Sequence, residues 1–124
     1  MADPFALPDL ASDQWVARPD GMKVWDVKVG TGDAVKPGAT VTVHYTGWTL
    51  NGKVFDSSKK RGQTISFGLT QVIKGWTEGV PGMKPGGVRL LHIPSEMAYG
   101  KRGFAGLIPP DATLVFEVEL LSVR

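Results

Sequence analysis

The stretch Val41-Thr42-Val43-His44-Tyr45-Thr46 predicts a β-strand. Successive side chains of a strand point to opposite faces, so Val41, Val43 and Tyr45 share one face and three polar side chains share the other. The turn signal Asn51-Gly52 comes shortly afterwards and predicts a hairpin into a second strand at residues 53–56. The stretch therefore indicates an antiparallel sheet with one buried face.

Three further runs extend this predicted sheet. They lie at residues 64–67, 88–93 and 113–123. The last run alternates best, because Leu114, Phe116 and Val118 fall on one face and Glu117 and Glu119 on the other. We interpret the two glutamates as a solvated strand face, not as a catalytic pair of carboxylates.

One segment has helical periodicity. Between residues 71 and 80, the apolar residues Val72, Ile73, Trp76 and Val80 recur at helical spacing. A single short amphipathic helix can lie on the buried face of the sheet. The predicted fold class is therefore α+β, a mainly antiparallel sheet covered by one short helix.

The composition favours one folded domain with many turns. The chain has 124 residues, of which 42% are hydrophobic, and it contains 16 Gly and 9 Pro. Residues 1–20 show neither strand nor helix periodicity, and we interpret them as an N-terminal extension. Residues 21–124 form the predicted domain, and nothing in the sequence argues against a monomer.

Several classes of function are excluded or disfavoured. The absence of cysteine excludes disulfide scaffolds, thiol nucleophiles and cysteine-based zinc sites. A net charge of +2 argues against a nucleic-acid-binding protein. No apolar run approaches a membrane span, so we expect a soluble protein, either cytoplasmic or the mature form of an exported precursor. Ser57 and Ser58 lack the sequence context of a hydrolase nucleophile.

Six separated blocks of the sequence occur in the order typical of one family. The blocks are residues 43–47, 55–58, 72–76, 98–100, 107–110 and 112–120, with the sequences VHYTG, FDSS, VIKGW, AYG, LIPP and ATLVFEVEL. On these blocks the chain resembles the FKBP-type peptidyl-prolyl cis-trans isomerases, the macrolide-binding immunophilins. The resemblance covers residues 21–124 and implies a twisted antiparallel sheet wrapped around one short helix.

The resemblance also implies a pocket between the helix and the sheet. Tyr99 and Asp56 occupy the positions of the family's catalytic pair, with Trp76 at the pocket floor. The implied substrate-binding walls are Tyr45, Phe55, Ile65, Val72, Ile73 and Phe116, with Leu107 and Ile108 on the loop side. Arg61 and Phe104 would lie at the rim.

The activity implied by the resemblance is rotation about X–Pro peptide bonds, without a covalent intermediate, metal or cofactor. Tyr99 would donate a hydrogen bond to a substrate carbonyl, Trp76 would seat the prolyl ring, and Asp56 would orient its partners. The implied partners are prolyl peptides, unfolded or partly folded proteins, and macrolides such as rapamycin or tacrolimus. An alternative stays open, namely a catalytically weak proline-binding or chaperone-like module of the same fold.

The chain departs from the family pattern at a few positions. Ile65 stands where a wall aromatic is usual, Gln71 replaces a common acid, and residues 67–71 are about one residue short. We expect catalysis to survive with an altered substrate preference, and macrolide binding to be affected more. The basic clusters at residues 59–61 and 101–102 suggest a positive rim that favours acidic prolyl segments, although unrelated solvated charge explains them equally well.

Overall fold

The computed structural model describes residue 3 and residues 5–124. In these residues seven strands form one antiparallel sheet, in the order β1-β2-β6-β7-β3-β4, with β5 also paired to β3. The strands are β1 Val16–Ala17, β2 Lys23–Lys28, β3 Thr40–Thr49, β4 Val54–Ser57, β5 Ile65–Gly68, β6 Val88–Ile93 and β7 Leu114–Val123. The helices are α1 Ser58–Arg61 and α2 Lys74–Gly79, with a 3₁₀ turn at Ser95–Met97.

Two ten-residue strands form the centre of the sheet. β3 and β7 pair along most of their length, with Tyr45 opposite Val118 and Gly47 opposite Phe116. Val41 and Val43 are fully buried on the same face as Tyr45. The predicted alternation is confirmed for residues 41–45, whereas Thr46 on the opposite face is buried as well. The α+β fold class with an antiparallel sheet is confirmed.

The second edge of β3 changes partner near its middle. β5 pairs with Thr40 to Val43, and β4 pairs with Thr46 to Trp48. Between them, the buried Ser58 hydroxyl accepts a hydrogen bond from Tyr45 N at 2.7 Å and donates to Tyr45 O at 3.3 Å. Ser58 thus satisfies backbone groups that neither neighbouring strand reaches.

Helix α2 lies very close to the sheet because two glycines face it. A Cβ atom on Gly75 would lie 2.5 Å from the Ile93 side chain, and one on Gly79 would lie 2.8 Å from Met22 Cε. This close approach brings Trp76 against the buried face. The buried Arg89 holds the end of the helix by donating to Gly79 O at 2.8 Å.

Besides α2, the structure contains a second short helix that the sequence does not predict. Helix α1 has four residues, too few to show a helical period in the sequence. It begins at the cap residue Ser57, whose hydroxyl accepts a hydrogen bond from Lys60 N, and it ends at Gly62 in the left-handed region with φ of 68°. Helix α2 is also shorter than the predicted segment 71–80.

The segment predicted as an N-terminal extension contacts the rest of the fold. β1 pairs with β2 at the edge of the sheet. The indole N–H of Trp48 donates to Phe5 O at 2.8 Å, and Arg18 donates to Glu78 O at 2.8 Å. The Trp15 ring lies edge-on to Trp25 at 5.6 Å.

In residue 3 and residues 5–124, which the structure describes, no helix is long and apolar enough to cross a membrane.

Candidate active site

A cavity of about 370 Å³ opens between α2 and the concave side of the sheet. Strands β3, β4, β5 and β7 supply its walls, α2 supplies the floor, and the loop after the 3₁₀ turn supplies one side. The lining residues are Tyr45, Phe55, Asp56, Phe67, Gln71, Val72, Ile73, Trp76, Tyr99 and Phe116.

Trp76 stands at the centre of an aromatic cluster. Its ring lies edge-on to Phe67 at 5.3 Å, to Tyr45 at 5.5 Å and to Phe116 at 5.5 Å. Phe55 extends the cluster by a further edge-on contact with Phe116 at 5.5 Å. Such rings present apolar faces and edges that suit the ring of a bound proline.

Gly47 allows the rings of Phe55 and Phe116 to lie close to β3. A Cβ atom at this position would lie 2.6 Å from Phe55 Cζ and 2.8 Å from Phe116 Cε1. Any other residue would therefore displace one ring into the cavity. The glycine fixes the width of the cavity at this wall.

The carboxylate of Asp56 is bonded on both oxygens. The Tyr45 hydroxyl donates to Oδ2, and the Arg61 guanidinium forms an ion pair with Oδ1. Arg61 Nη2 also donates to the Tyr45 hydroxyl oxygen at 3.2 Å. Burial alone would raise the pKa of Asp56, but the hydrogen bonds from Tyr45 and Arg61 and the charge of Arg61 lower it below its ordinary value.

Tyr99 faces Asp56 across the cavity with a half-buried ring. Burial, and to a smaller extent the negative charge of Asp56, raise the pKa of the Tyr99 hydroxyl above its ordinary value. The hydroxyl therefore stays protonated at neutral pH. Within the described part of the chain no side chain or backbone group is hydrogen-bonded to it, so it can donate to a ligand.

The structure brings most of the predicted site residues together. Tyr45, Phe55, Asp56, Val72, Ile73, Trp76, Tyr99 and Phe116 all line the cavity. Arg61 lies beside them, bound to Asp56. Phe104 is half-exposed, and its ring lies edge-on to Tyr99 at 5.6 Å.

Ile65 is not among the lining residues, contrary to the prediction. It pairs with Val43 on β3 and packs against the core, whereas Phe67, two residues further along β5 on the same face, reaches the cavity. The aromatic wall is therefore present, supplied by Phe67. Ile65 and Phe67 lie on the same face of β5, and the position of β5 along β3 decides which of the two reaches the cavity.

Leu107 and Ile108 are also outside this cavity. They belong to a tight hairpin in which Phe104 and Ile108 exchange two backbone hydrogen bonds of 2.8 Å. Ile108 turns into the core, and Leu107 is 44% exposed on the outer side. Both line a separate concavity formed by residues 102–110.

The contacts of the cluster at residues 59–61 do not support the hypothesis of a positive rim there. Lys59 forms an ion pair with Glu117 at 2.9 Å, and the ammonium of Lys60 lies over the Phe5 ring at 4.8 Å. Arg61 is engaged by Asp56. The charges of Lys59 and Arg61 are therefore paired with acids of the chain, whereas the Lys60 ammonium contacts an aromatic ring.

Comparisons with known proteins agree with this geometry. The profile of the FKBP-type peptidyl-prolyl cis-trans isomerases matches residues 32–121. The chain is 57% identical to the FK506-binding protein of Neisseria meningitidis serogroup B, over 83% of this chain and 96% of that protein. It is 51% identical to FK506-binding protein 1 of Dictyostelium discoideum, over 84% of this chain and 99% of that protein.

The chain belongs to the FKBP-type peptidyl-prolyl cis-trans isomerase family. The prediction of the family from six sequence blocks is confirmed, and so are the enzyme class and the activity, isomerisation of X–Pro peptide bonds. No finding favours the alternative of a catalytically weak binding module.

Solved structures of the family have the same fold. The crystal structure of FkpA from Escherichia coli matches with a TM-score of 0.86 and 46% identity, over 92% of this chain and 53% of that chain. A peptidyl-prolyl cis-trans isomerase from Pseudomonas syringae matches with a TM-score of 0.84 and 38% identity, over 92% and 84% of the two chains. The chain thus spans about half of the FkpA chain in that crystal structure, about a third of the full FkpA protein (36%), and most of the Pseudomonas chain.

Proposed function

We propose that the aromatic cavity is the isomerase site and that it acts on X–Pro bonds without forming a covalent bond to the substrate. One observation carries the proposal: the single carboxylate among the lining residues is already bonded on both oxygens, by Tyr45 and Arg61. The remaining walls are mostly aromatic or branched apolar side chains. Such a site suits a reaction that depends on a complementary cavity from which water is excluded, and not on a nucleophile.

The barrier to X–Pro rotation explains why such a site accelerates the reaction. Amide resonance gives the C–N bond partial double-bond character and a barrier of about 18–20 kcal/mol. The twisted transition state loses this resonance and with it much of the charge separation of the planar amide. A water-poor cavity therefore disfavours the planar ground state more than the twisted state.

Trp76 and Tyr99 would hold the two parts of the substrate that must move relative to each other. The proline ring would lie on the buried Trp76 indole, with Phe116 and Phe67 at its sides. The Tyr99 hydroxyl would donate a hydrogen bond to a carbonyl of the bound chain. One part is then held in place while the other rotates.

Asp56 acts in this proposal through its neighbours. Because each of its oxygens already accepts a hydrogen bond from a neighbour, we assign it as a positioning residue that fixes the Tyr45 ring at the cavity wall and the guanidinium of Arg61 at the rim. Removing it would leave Tyr45 and Arg61 without their shared acceptor. Its loss should therefore change the shape of the site more than its chemistry.

The proposed substrates are prolyl peptides and unfolded or partly folded proteins. The aromatic wall provided by Phe67 supports binding of macrolides such as rapamycin or tacrolimus in the same cavity. The proposal assigns catalysis to the domain at residues 21–124, acting as a monomer.

The test is magnetisation exchange between the cis and trans forms of a short Leu-Pro peptide, measured by NMR. Uncatalysed exchange takes about 10–100 s, so modest acceleration is visible. Loss of one neutral hydrogen bond of about 1–1.5 kcal/mol should make Tyr99→Phe about 5–15-fold slower in kcat/KM. Asp56→Ala should also isomerise the peptide more slowly. Rapamycin should block isomerisation by the wild-type protein.

A matched control is Trp25→Phe, on the opposite face of the sheet beside Trp15. It should isomerise the peptide at the wild-type rate. Binding of the peptide without any acceleration would overturn the proposed site mechanism and favour a proline-binding module. Wild-type rates in both cavity variants would show that the reaction occurs elsewhere.

A further inference from the structure

We propose that Thr77 is a positioning residue for the isomerisation reaction, because its hydroxyl holds one wall of the catalytic cavity in place. Thr77 lies on α2 and is not among the residues that line the cavity. Its Oγ1 atom donates a hydrogen bond of 2.7 Å to Leu69 O, which follows β5. The inference rests on the proposed function and adds to it a residue that acts from outside the cavity.

The hydrogen bond of Thr77 closes a loop over residues 69–77, between β5 and α2. Four of the residues that line the cavity lie inside this loop, namely Gln71, Val72, Ile73 and Trp76. The first three belong to the wall of the cavity, and Trp76 belongs to its floor. The position of this wall relative to the floor therefore depends on how the loop is closed.

Both ends of the loop are anchored in the fold. At one end, the Leu69 side chain is fully buried and its N–H donates to Ala39 O at 3.0 Å. At the other end, α2 packs closely on the sheet through Gly75, where a Cβ atom would lie 2.5 Å from the Ile93 side chain. The Thr77 hydroxyl thus joins two parts of the molecule that are each held firmly.

The backbone between these ends has few hydrogen bonds of its own. Gln71 N donates to Gly68 O at 2.9 Å in a tight turn. In the part of the chain that the structure describes, the N–H groups of Val72 and Ile73 have no acceptor. The side chains of these two residues pack against the core, but their backbone is held mainly from the two ends of the loop.

The first turn of α2 also lacks the usual side-chain cap. Ile73 occupies the cap position and forms no side-chain hydrogen bond there. In many helices a cap residue with a polar side chain fixes the first turn to the preceding chain. Here the hydroxyl of Thr77, inside the helix, makes the connection to the preceding chain at Leu69 O instead.

The experiment compares Thr77→Val with Thr77→Ser. Valine keeps the branched shape of threonine and removes the donor, and the variant should fold because Thr77 is only half-buried. Loss of the hydroxyl should lower kcat/KM for a short Leu-Pro peptide about 5–10-fold, as expected for the loss of one hydrogen bond. Thr77→Ser keeps the hydroxyl and should restore most of the wild-type kcat/KM.

Thr49→Val is the matched control. Thr49 is buried at the end of β3, and its hydroxyl donates to Asn51 Oδ1 in the hairpin. Neither residue lines the catalytic cavity. Both valine variants lose one hydroxyl hydrogen bond, so both should unfold at a lower urea concentration than the wild type. Only Thr77→Val should have a lower kcat/KM at a temperature at which all the proteins are folded.

The outcomes separate this inference from the proposed function. If the wild type does not isomerise the peptide, the proposed function fails, and the peptide Kd of the same variants then tests the role of Thr77 in a binding site. If Thr77→Val has the wild-type kcat/KM, or if Thr49→Val is equally slow, the inference is overturned. It is also overturned if Thr77→Ser is as slow as Thr77→Val, because the methyl group and not the hydroxyl would then be responsible.

Discussion

The Tyr45 hydroxyl donates a hydrogen bond to Asp56 Oδ2, and this contact joins the middle of β3 to the end of β4 across the wall of the cavity. Arg61 completes a closed triangle with both residues. The hydroxyl of Tyr45 is thus directed at Asp56, and the Tyr99 hydroxyl remains as the phenolic donor for a ligand. The two tyrosines of the chain therefore differ in their contacts, and we expect them to differ in their roles.

Tyr45→Phe should affect stability more than catalysis. The ring remains in place, but the Asp56 carboxylate loses one of its donors, so the free energy of unfolding should fall by about 1 kcal/mol. Urea unfolding measures this change, and peptide exchange measures kcat/KM. A loss of kcat/KM as large as that of Tyr99→Phe would show that the Tyr45 hydroxyl acts on the substrate.

Catalysis should be independent of pH between about 5 and 9. The pKa of Asp56 lies below its ordinary value of 3.8, and those of Tyr45 and Tyr99 lie above their ordinary value of 10.0. None of the three groups changes its charge in this interval. The profile of kcat/KM for a peptide without ionisable side chains tests this, and an inflection near neutral pH would contradict the assignment of the site.

Gly47→Ala should close part of the cavity. Its Cβ would lie within 3 Å of the Phe55 and Phe116 rings, so one ring must move into the space for the proline. We expect a large loss of kcat/KM and a loss of about 1–3 kcal/mol in stability from overpacking. Gly68→Ala is the control, because the nearest atom to a Cβ there lies 3.7 Å away. Equal effects of both substitutions would contradict the prediction.

Much of the fold is predictable from local sequence patterns, such as the alternation of apolar and polar residues. The alternation in β3 and β7 predicted both strands and their buried faces, because a two-residue period is local information. Helix α1 has no such period in its four residues. Ser57 and Gly62 form hydrogen bonds with backbone groups at the two ends of this helix. These two residues alone do not predict a helix.

Some side chains of the candidate site were predictable from single motif positions in the sequence. Others were less predictable, because their place in the cavity depends on how two strands are aligned. Trp76 and Tyr99 reach the cavity as the family resemblance implied. The register of β5 against β3 determines that Phe67, and not Ile65, lines the cavity. The turn at residues 104–108 determines that Leu107 lies outside it. The role of Ser58 as a backbone cap for Tyr45 depends on the gap between β4 and β5, which no local pattern shows.

Arg89 is the one charged residue that is buried in the described part of the chain, and it should be important for stability. Its side chain pairs with Asp26 through Nε at 2.6 Å and donates to Gly79 O at 2.8 Å and Pro81 O at 3.1 Å. Arg89→Met would leave these carbonyls unpaired at the end of α2, so the free energy of unfolding should fall by about 2–4 kcal/mol. Asp26→Asn is the control and should cost less than about 1 kcal/mol, since Asp26 is partly exposed. Chemical denaturation of both variants measures these two losses, and an equal loss in both would contradict the prediction.

His92 should make the protein less stable in mild acid. Its ring lies 5.9 Å from Trp15, and burial, together with the charge of Lys23 on the paired strand, lowers its pKa below the ordinary value of 6.5. As the pH falls below 6.5, the unfolded chain takes up a proton at this histidine before the folded chain does, so the free energy of unfolding decreases through this interval. Urea unfolding at pH 7.5 and pH 5.5 should show that decrease in the wild type and a smaller one in His92→Gln. An equal decrease in both proteins would assign the acid sensitivity to other groups.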